Sequence, residues 1–149
     1  MMATADPAPA LENTALRLLA QREHSRLELT RKLSSRGFEL AAIAPVLAQL
    51  EAHDYLNEAR LAARYTAERM NKGFGPRRIR AELRDKGLTD DLIDDALAPL
   101  REEWAECLAN LCARRFGDSP PLDRADYGRR ARFLEQRGFP TDLIVRVLR

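Results

Sequence analysis

The sequence predicts an all-α protein, an elongated array of three tandem three-helix repeats with about nine helices in all. Three observations carry this. One pattern recurs around a glycine: Leu33-x-x-Arg36-Gly37-Phe38, Leu83-x-x-Lys86-Gly87-Leu88 and Leu134-x-x-Arg137-Gly138-Phe139, with the glycines 50 and 51 residues apart. Six residues after each glycine stands Ile43, Ile93 or Ile144, and ten after it stands Leu47, Leu97 or Leu148. No segment shows the two-residue alternation, rich in β-branched side chains, that a strand needs. Helix-start and helix-stop chemistry also falls in register with the repeat.

Taken in order, residues 1–12 are rich in alanine and proline and read as a disordered tail. The repeats then occupy 13–53, 54–100 and 101–149. Their first helices are the most divergent, expected at roughly Asn13–Arg22, Asn57–Lys72 and Arg101–Phe116. Gly73-Phe74-Gly75 and Gly117-Asp118-Ser119-Pro120-Pro121 break the chain after the last two.

The second helices carry clearer signals. Ser25-Arg26-Leu27-Glu28 has the form of a capping box, in which serine and glutamate satisfy each other's free amides. Pro76 suits the first helical position, where its missing N–H costs nothing. Asp123 or Asp126 can cap the third such helix. All three end at the repeat glycine, which accepts the left-handed backbone of a helix stop. Phe38, Leu88 or Phe139 can then fold back onto the apolar face. Third helices follow at once, with Thr89 and Thr141 as natural caps and Asp90, Asp91 and Asp142 against the positive helix end. The first repeat departs from this. Pro45 falls inside its third helix, so a late start or a kink is expected there.

Composition narrows the function. The 149 residues carry a net charge of only +2, so the distribution of charge matters more than its sum. No apolar run approaches the ~20 residues that span a bilayer. The Met1–Pro7 stretch lacks the basic and apolar regions of a signal peptide, so a cytoplasmic protein is expected. Cys107 and Cys112 cannot form a metal site alone and read as two buried, reduced thiols. His24 and His53 read as surface or capping residues, with no nucleophile at a suggestive offset. There is no phosphate-binding loop or dinucleotide fingerprint. The expectation is a protein that is not an enzyme, with no catalytic residues, cofactor or metal.

The basic clusters point elsewhere. Lys72, Arg77, Arg78, Arg80 and Arg84 crowd the middle repeat. On a helix, Arg77, Arg80 and Arg84 form one stripe, turned away from Ile79 and Leu83. Arg129, Arg130 and Arg132 make a second patch in repeat three, and Arg22, Arg26, Arg31, Lys32 and Arg36 a looser one in repeat one. Guanidinium forks suit phosphates and carboxylates alike, so clusters that recur with the repeat imply a polyanionic or acidic partner. The aromatics Trp104, Tyr65, Phe74, Phe116, Tyr127 and Phe133 read as core rather than as platforms for bases.

Three stretches also resemble the signature of a family. They are Tyr55-Leu56-Asn57-Glu58-Ala59-Arg60-Leu61-Ala62, Gly73-Phe74-Gly75-Pro76-Arg77-Arg78-Ile79-Arg80-Ala81-Glu82-Leu83 and Lys86-Gly87-Leu88. The family is RecX, small bacterial regulators of the RecA recombinase. The resemblance covers residues from about 14 to 149, and departs from the family pattern at Ala59 and Leu61. It implies an all-helical monomer that binds RecA, chiefly as its filament on single-stranded DNA, and lies in the filament groove. It implies inhibition of ATP hydrolysis, strand exchange and repressor cleavage, in DNA repair, recombination and the SOS response. Direct contact with single- or double-stranded DNA is left open. The expected contact residues are Lys72, Arg77, Arg78, Arg80, Arg84, Arg129, Arg130 and Arg132. A sequence-specific helix-turn-helix regulator is the alternative. Against it, Thr89-Asp90-Asp91-Leu92-Ile93-Asp94-Asp95 is too acidic to enter a groove walled by phosphates. An adaptor unrelated to DNA is a third reading, marked by binding insensitive to salt.

Overall fold

The computed structural model describes residues 5–149, so residues 1–4 of the expected tail lie outside the described residues. Within them are nine α-helices and no strand: α1 Ala8–Gln21, α2 Arg26–Ser35, α3 Leu40–Ala52, α4 Glu58–Asn71, α5 Pro76–Asp85, α6 Asp90–Leu97, α7 Trp104–Phe116, α8 Arg124–Gln136 and α9 Thr141–Leu148. A 3₁₀ turn, Ala98–Leu100, follows α6. The described residues divide into two compact units, one of residues 5–61 with 86–88, the other of 62–85 with 89–149.

In the first unit α1, α2 and α3 pack pairwise. Their core holds Leu11, Ala15, Leu18, Leu29, Leu33, Ile43, Leu47, Leu50 and Leu56, with Phe38 against it. Helix α1 corrects the expected boundary of the tail, because it starts at Ala8 rather than at Asn13. Pro7 caps it and Pro9 sits in its first turn, where proline is at no disadvantage. The signal was the spacing of Leu11, Ala15 and Leu18 on one helical face, all three of them buried. Leu11→Ala is therefore expected to cost about 2–5 kcal/mol, read from the urea midpoint. A change below ~1 kcal/mol would return this segment to the tail.

Helix α2 opens with the expected capping box. Ser25 Oγ accepts from the Glu28 amide at 3.0 Å, and Glu28 Oε1 accepts from the Ser25 amide at 3.1 Å. The same hydroxyl donates to the Lys86 carbonyl, and Glu28 also takes Arg22 at 2.8 Å and Lys86 at 3.4 Å. Burial alone would raise the Glu28 carboxyl. The Arg22 hydrogen bond, the Ser25 amide and the Lys86 charge outweigh it and hold the group at about 2. A carboxylate depressed in the folded state adds stability above its unfolded value, and that stability is lost as pH falls through the folded one. Glu28→Gln is expected to destabilise at pH 7 by on the order of 3 kcal/mol. The gap to the native chain should close as pH drops from about 4.5 towards about 2. Urea titrations at both ends of that range test it, and an undiminished gap at pH 2 would contradict it.

His24 is not a surface residue. It is fully buried, with Nδ1 3.0 Å from the Arg22 carbonyl and Nε2 2.9 Å from Lys32 Nζ. The carbonyl fixes the proton on Nδ1, so Nε2 accepts from the ammonium. Burial lowers its pKa, with the Arg22 and Lys32 charges adding to the effect against the backbone hydrogen bond. Helix α3 runs from Leu40 through Pro45 to Ala52, so the expected late start is not found. Pro45 is exposed, where water can take up the carbonyl it leaves unpaired.

In the second unit α5 packs on α6, and α9 packs on both α7 and α8. Ile79, Leu83, Ile93, Trp104, Leu108, Leu134, Phe139 and Ile144 are buried. Thr89 caps α6 by accepting from the Leu92 amide. Asp123, not Asp126, caps α8, while Asp126 accepts from the Leu122 amide. Pro140 rather than Thr141 occupies the cap of α9. Cys107 and Cys112 are free but only half-buried, and burial raises both thiols.

The repeat glycines adopt the backbone expected of them, with φ of 96° at Gly37, 90° at Gly87 and 101° at Gly138. Around Gly37 and Gly138 the helix closes by the paired bonds of a Schellman stop, Phe38 N–H to Leu33 carbonyl and Phe139 N–H to Leu134 carbonyl, each 3.2 Å. The surroundings of the two glycines differ. A Cβ on Gly37 would meet nothing within 4 Å, whereas one on Gly138 would lie 2.5 Å from the Arg78 nitrogen.

Candidate functional site

Helix α5 buries Ile79 and Leu83, which turns its arginines outward in two directions. Arg77, Arg80 and Arg84 form the stripe facing α6. There the aspartates of α6 meet them: Arg80 Nη2 lies 2.6 Å from Asp94 and Arg84 Nε 3.0 Å from Asp90. Both pairs are solvated, and such pairs are worth about 0.2–1 kcal/mol each. Arg77 is exposed and has no ion pair among the described residues. Below it lies an open cleft of about 550 Å³, bordered by Arg77, Arg80, Arg101 and Asp94, with Leu97 and Trp104 as its apolar lining. Arg101 was not among the expected contact residues; only the 3₁₀ turn after α6 brings it there.

Arg78 points the other way, into a cluster that spacing along the chain does not reveal. Three guanidinium carbons stand over the Phe74 ring, those of Arg69 at 3.7 Å, Arg137 at 4.6 Å and Arg78 at 4.7 Å from its centre. Arg137 and Arg115 lie over Phe133 at 5.1 and 4.8 Å, and Phe133 meets Phe116 edge to face at 5.7 Å. Phe74 and Phe133 are half-buried, so they serve as seats for cations as well as core. Two backbone bonds lace the segments that carry the cluster: Gly75 N–H to the Arg137 carbonyl at 2.7 Å and Arg77 N–H to the Gly138 carbonyl at 2.9 Å.

Carboxylates are scarce in this cluster. Arg69 is held by Glu82 through Nε at 3.0 Å and Nη2 at 2.9 Å, and Glu82 also accepts from the Tyr65 hydroxyl. Burial and that carboxylate push Tyr65 up to about 12. Arg78, Arg114, Arg115 and Arg137 have no ion-pair partner among the described residues. Burial first, and then the charges of Arg78, Arg115, Arg69 and Arg114, lower the Arg137 pKa.

The remaining expected contact residues do not gather into one patch. Lys72 is exposed and pairs with Glu68 one helical turn away at 3.0 Å. Arg129 is exposed beside Asp126 at 3.4 Å, and Arg132 is exposed. Arg130 is buried; it pairs with Asp126 at 3.1 Å, donates to the Ser119 carbonyl at 2.9 Å and stacks on Phe116 at 5.1 Å. These contacts tie it to the loop before α8 and leave little of it at the surface. No group of three or more metal-ligating side chains occurs among the described residues, and no helix there is long and apolar enough to cross a membrane.

Three-helix repeats presenting clustered guanidinium groups define an all-helical repeat protein. Comparison with known proteins narrows the class. The family models for the first, second and third three-helix domains of RecX match residues 13–50, 57–97 and 101–148. The regulatory protein RecX of Pseudomonas putida KT2440 is 41% identical over 148 residues, covering 99% of this chain and 95% of that protein. That of Halorhodospira halophila is 41% identical over 135 residues, covering 91% and 84%. The crystal structure of RecX from Lactobacillus salivarius superposes with a TM-score of 0.81 at 27% identity, covering 97% of this chain and 96% of that one. The chain belongs to the RecX family of regulatory proteins.

Proposed function

We propose that this chain regulates the RecA recombinase by binding, as a monomer in the cytoplasm. It binds RecA most effectively as the filament on single-stranded DNA, lies in the filament groove, and mainly inhibits ATP hydrolysis, strand exchange and coprotease activity. Its setting is DNA repair, recombination and the SOS response. The observation that carries this reading is the match of all three RecX domains in order along the chain. The surface supports it: the α5 stripe and its cleft offer guanidinium groups and an apolar floor to an acidic protein surface. A repeat protein that touches several protomers at once also gains from effective concentration.

The test is the ATPase rate of RecA on single-stranded DNA, titrated with the purified protein. Inhibition at or below one protein per protomer is expected. An unchanged rate with a matched RecA, while circular dichroism shows the chain helical, would remove the reading.

A further inference from the structure

The guanidinium cluster around Phe74 and Phe133 has no assigned role. It is assembled from the start of α5, the end of α7 and the turn after α8. We propose that it is a clamp for the phosphodiester backbone of single-stranded DNA, with Arg78, Arg114, Arg115 and Arg137 as its phosphate ligands.

Four guanidinium groups without a carboxylate between them are costly to hold together, and an anion relieves that cost. Two of the groups are also held by hydrogen bonds to the backbone. Arg78 Nη1 donates to the Gln136 carbonyl at 3.2 Å, and Arg137 Nη1 to the Lys72 carbonyl at 3.2 Å. Each guanidinium carries five N–H donors, so most remain for a ligand. Seating over Phe74 and Phe133 restrains Arg78, Arg137 and Arg115, which lowers the ordering cost of each new hydrogen bond they make. Carboxylates would also satisfy single arginines, but several clustered guanidinium groups without carboxylate partners suit the dense, repeating charge of a nucleic-acid strand. Guanidinium groups already lie over both rings, so bases have no open aromatic face to stack on. The clamp reads backbone and not sequence.

This deepens the reading of the chain as a filament regulator and rests on it only for where the strand comes from. The test therefore uses DNA without RecA. Fluorescence anisotropy with a labelled oligo(dT) strand, over a salt series, is measured for the native chain and for Arg114→Glu/Arg115→Glu. Both residues are exposed, so the variant keeps its fold. A second variant, Arg129→Glu/Arg132→Glu, makes the same charge change on the exposed side of α8. The cluster variant should bind at least tenfold more weakly, and its slope of log K against log salt should shrink by about 0.7 for each phosphate it no longer neutralises. Arg137→Gln should shrink the slope in the same way, and oligo(dA) should bind the native chain as oligo(dT) does. Equal weakening in the two charge-reversal variants would reduce the effect to net charge and overturn the clamp, as would unchanged binding in the cluster variant. RecA ATPase inhibition is read separately. Inhibition that survives removal of the clamp leaves the regulator reading intact. Intact DNA binding with no inhibition removes that reading and leaves the clamp.

Discussion

Replacing Gly138 with alanine is expected to destabilise the second unit by about 3 kcal/mol or more, while the same change at Gly37 should cost only about 1–2 kcal/mol. Both glycines hold a positive φ, of 101° and 96°, and both close a helix with the same hydrogen bonds. The backbone penalty for a Cβ is common to the two. The difference is steric. Alanine at 138 drives its methyl into the Arg78 backbone at the start of α5, and backbone cannot rotate out of the way as a side chain can. The Gly138 carbonyl also accepts from the Arg77 amide at 2.9 Å, so any shift that relieves the clash stretches that bond. Urea denaturation of both variants measures the gap. Equal destabilisation would mean that the contact between the α8 turn and α5 carries no energy.

The second large effect concerns the α5 stripe. Arg77→Ala/Arg80→Ala/Arg84→Ala is expected to raise the dose needed to inhibit RecA ATPase by roughly thirtyfold, which corresponds to about 2 kcal/mol. Three rim guanidinium groups at ~0.5–1 kcal/mol each supply an effect of that size. The fold should survive. Ile79 and Leu83 hold α5 in the core, and removing the two pairs with Asp94 and Asp90 costs little. Helical circular dichroism is the control. Inhibition at the native dose would show that the stripe is idle and would move attention to the Phe74 cluster.

The legibility of the chain follows from the range of the physics involved. The Ser25 and Thr89 caps are readable because a cap and its amide lie three residues apart, while for α8 the sequence leaves Asp123 and Asp126 as alternatives. The glycine stops are readable too, where one backbone angle selects the residue. The start of α1 was missed because the prolines masked the spacing of Leu11, Ala15 and Leu18. The burial of His24 depends on Lys32 reaching its Nε2, and Arg130 is indistinguishable in sequence from its exposed neighbours Arg129 and Arg132. The Phe74 cluster draws on Arg69, Arg78 and Arg137, and only tertiary folding brings the last of these to the ring. Site chemistry that depends on distant segments leaves no local trace.

The aspartates on the stripe have a kinetic consequence. Asp94 and Asp90 already occupy Arg80 and Arg84 at 2.6 and 3.0 Å, so an incoming acidic group exchanges one carboxylate for another. Little new charge is desolvated in that exchange, and the departing partner leaves no bare cation behind, because the aspartates return. Each such exchange gains little by itself. If the stripe is the contact surface proposed above, a single carboxylate would be released quickly, and a partner that engaged Arg77 and the cleft together with the stripe would be held longer.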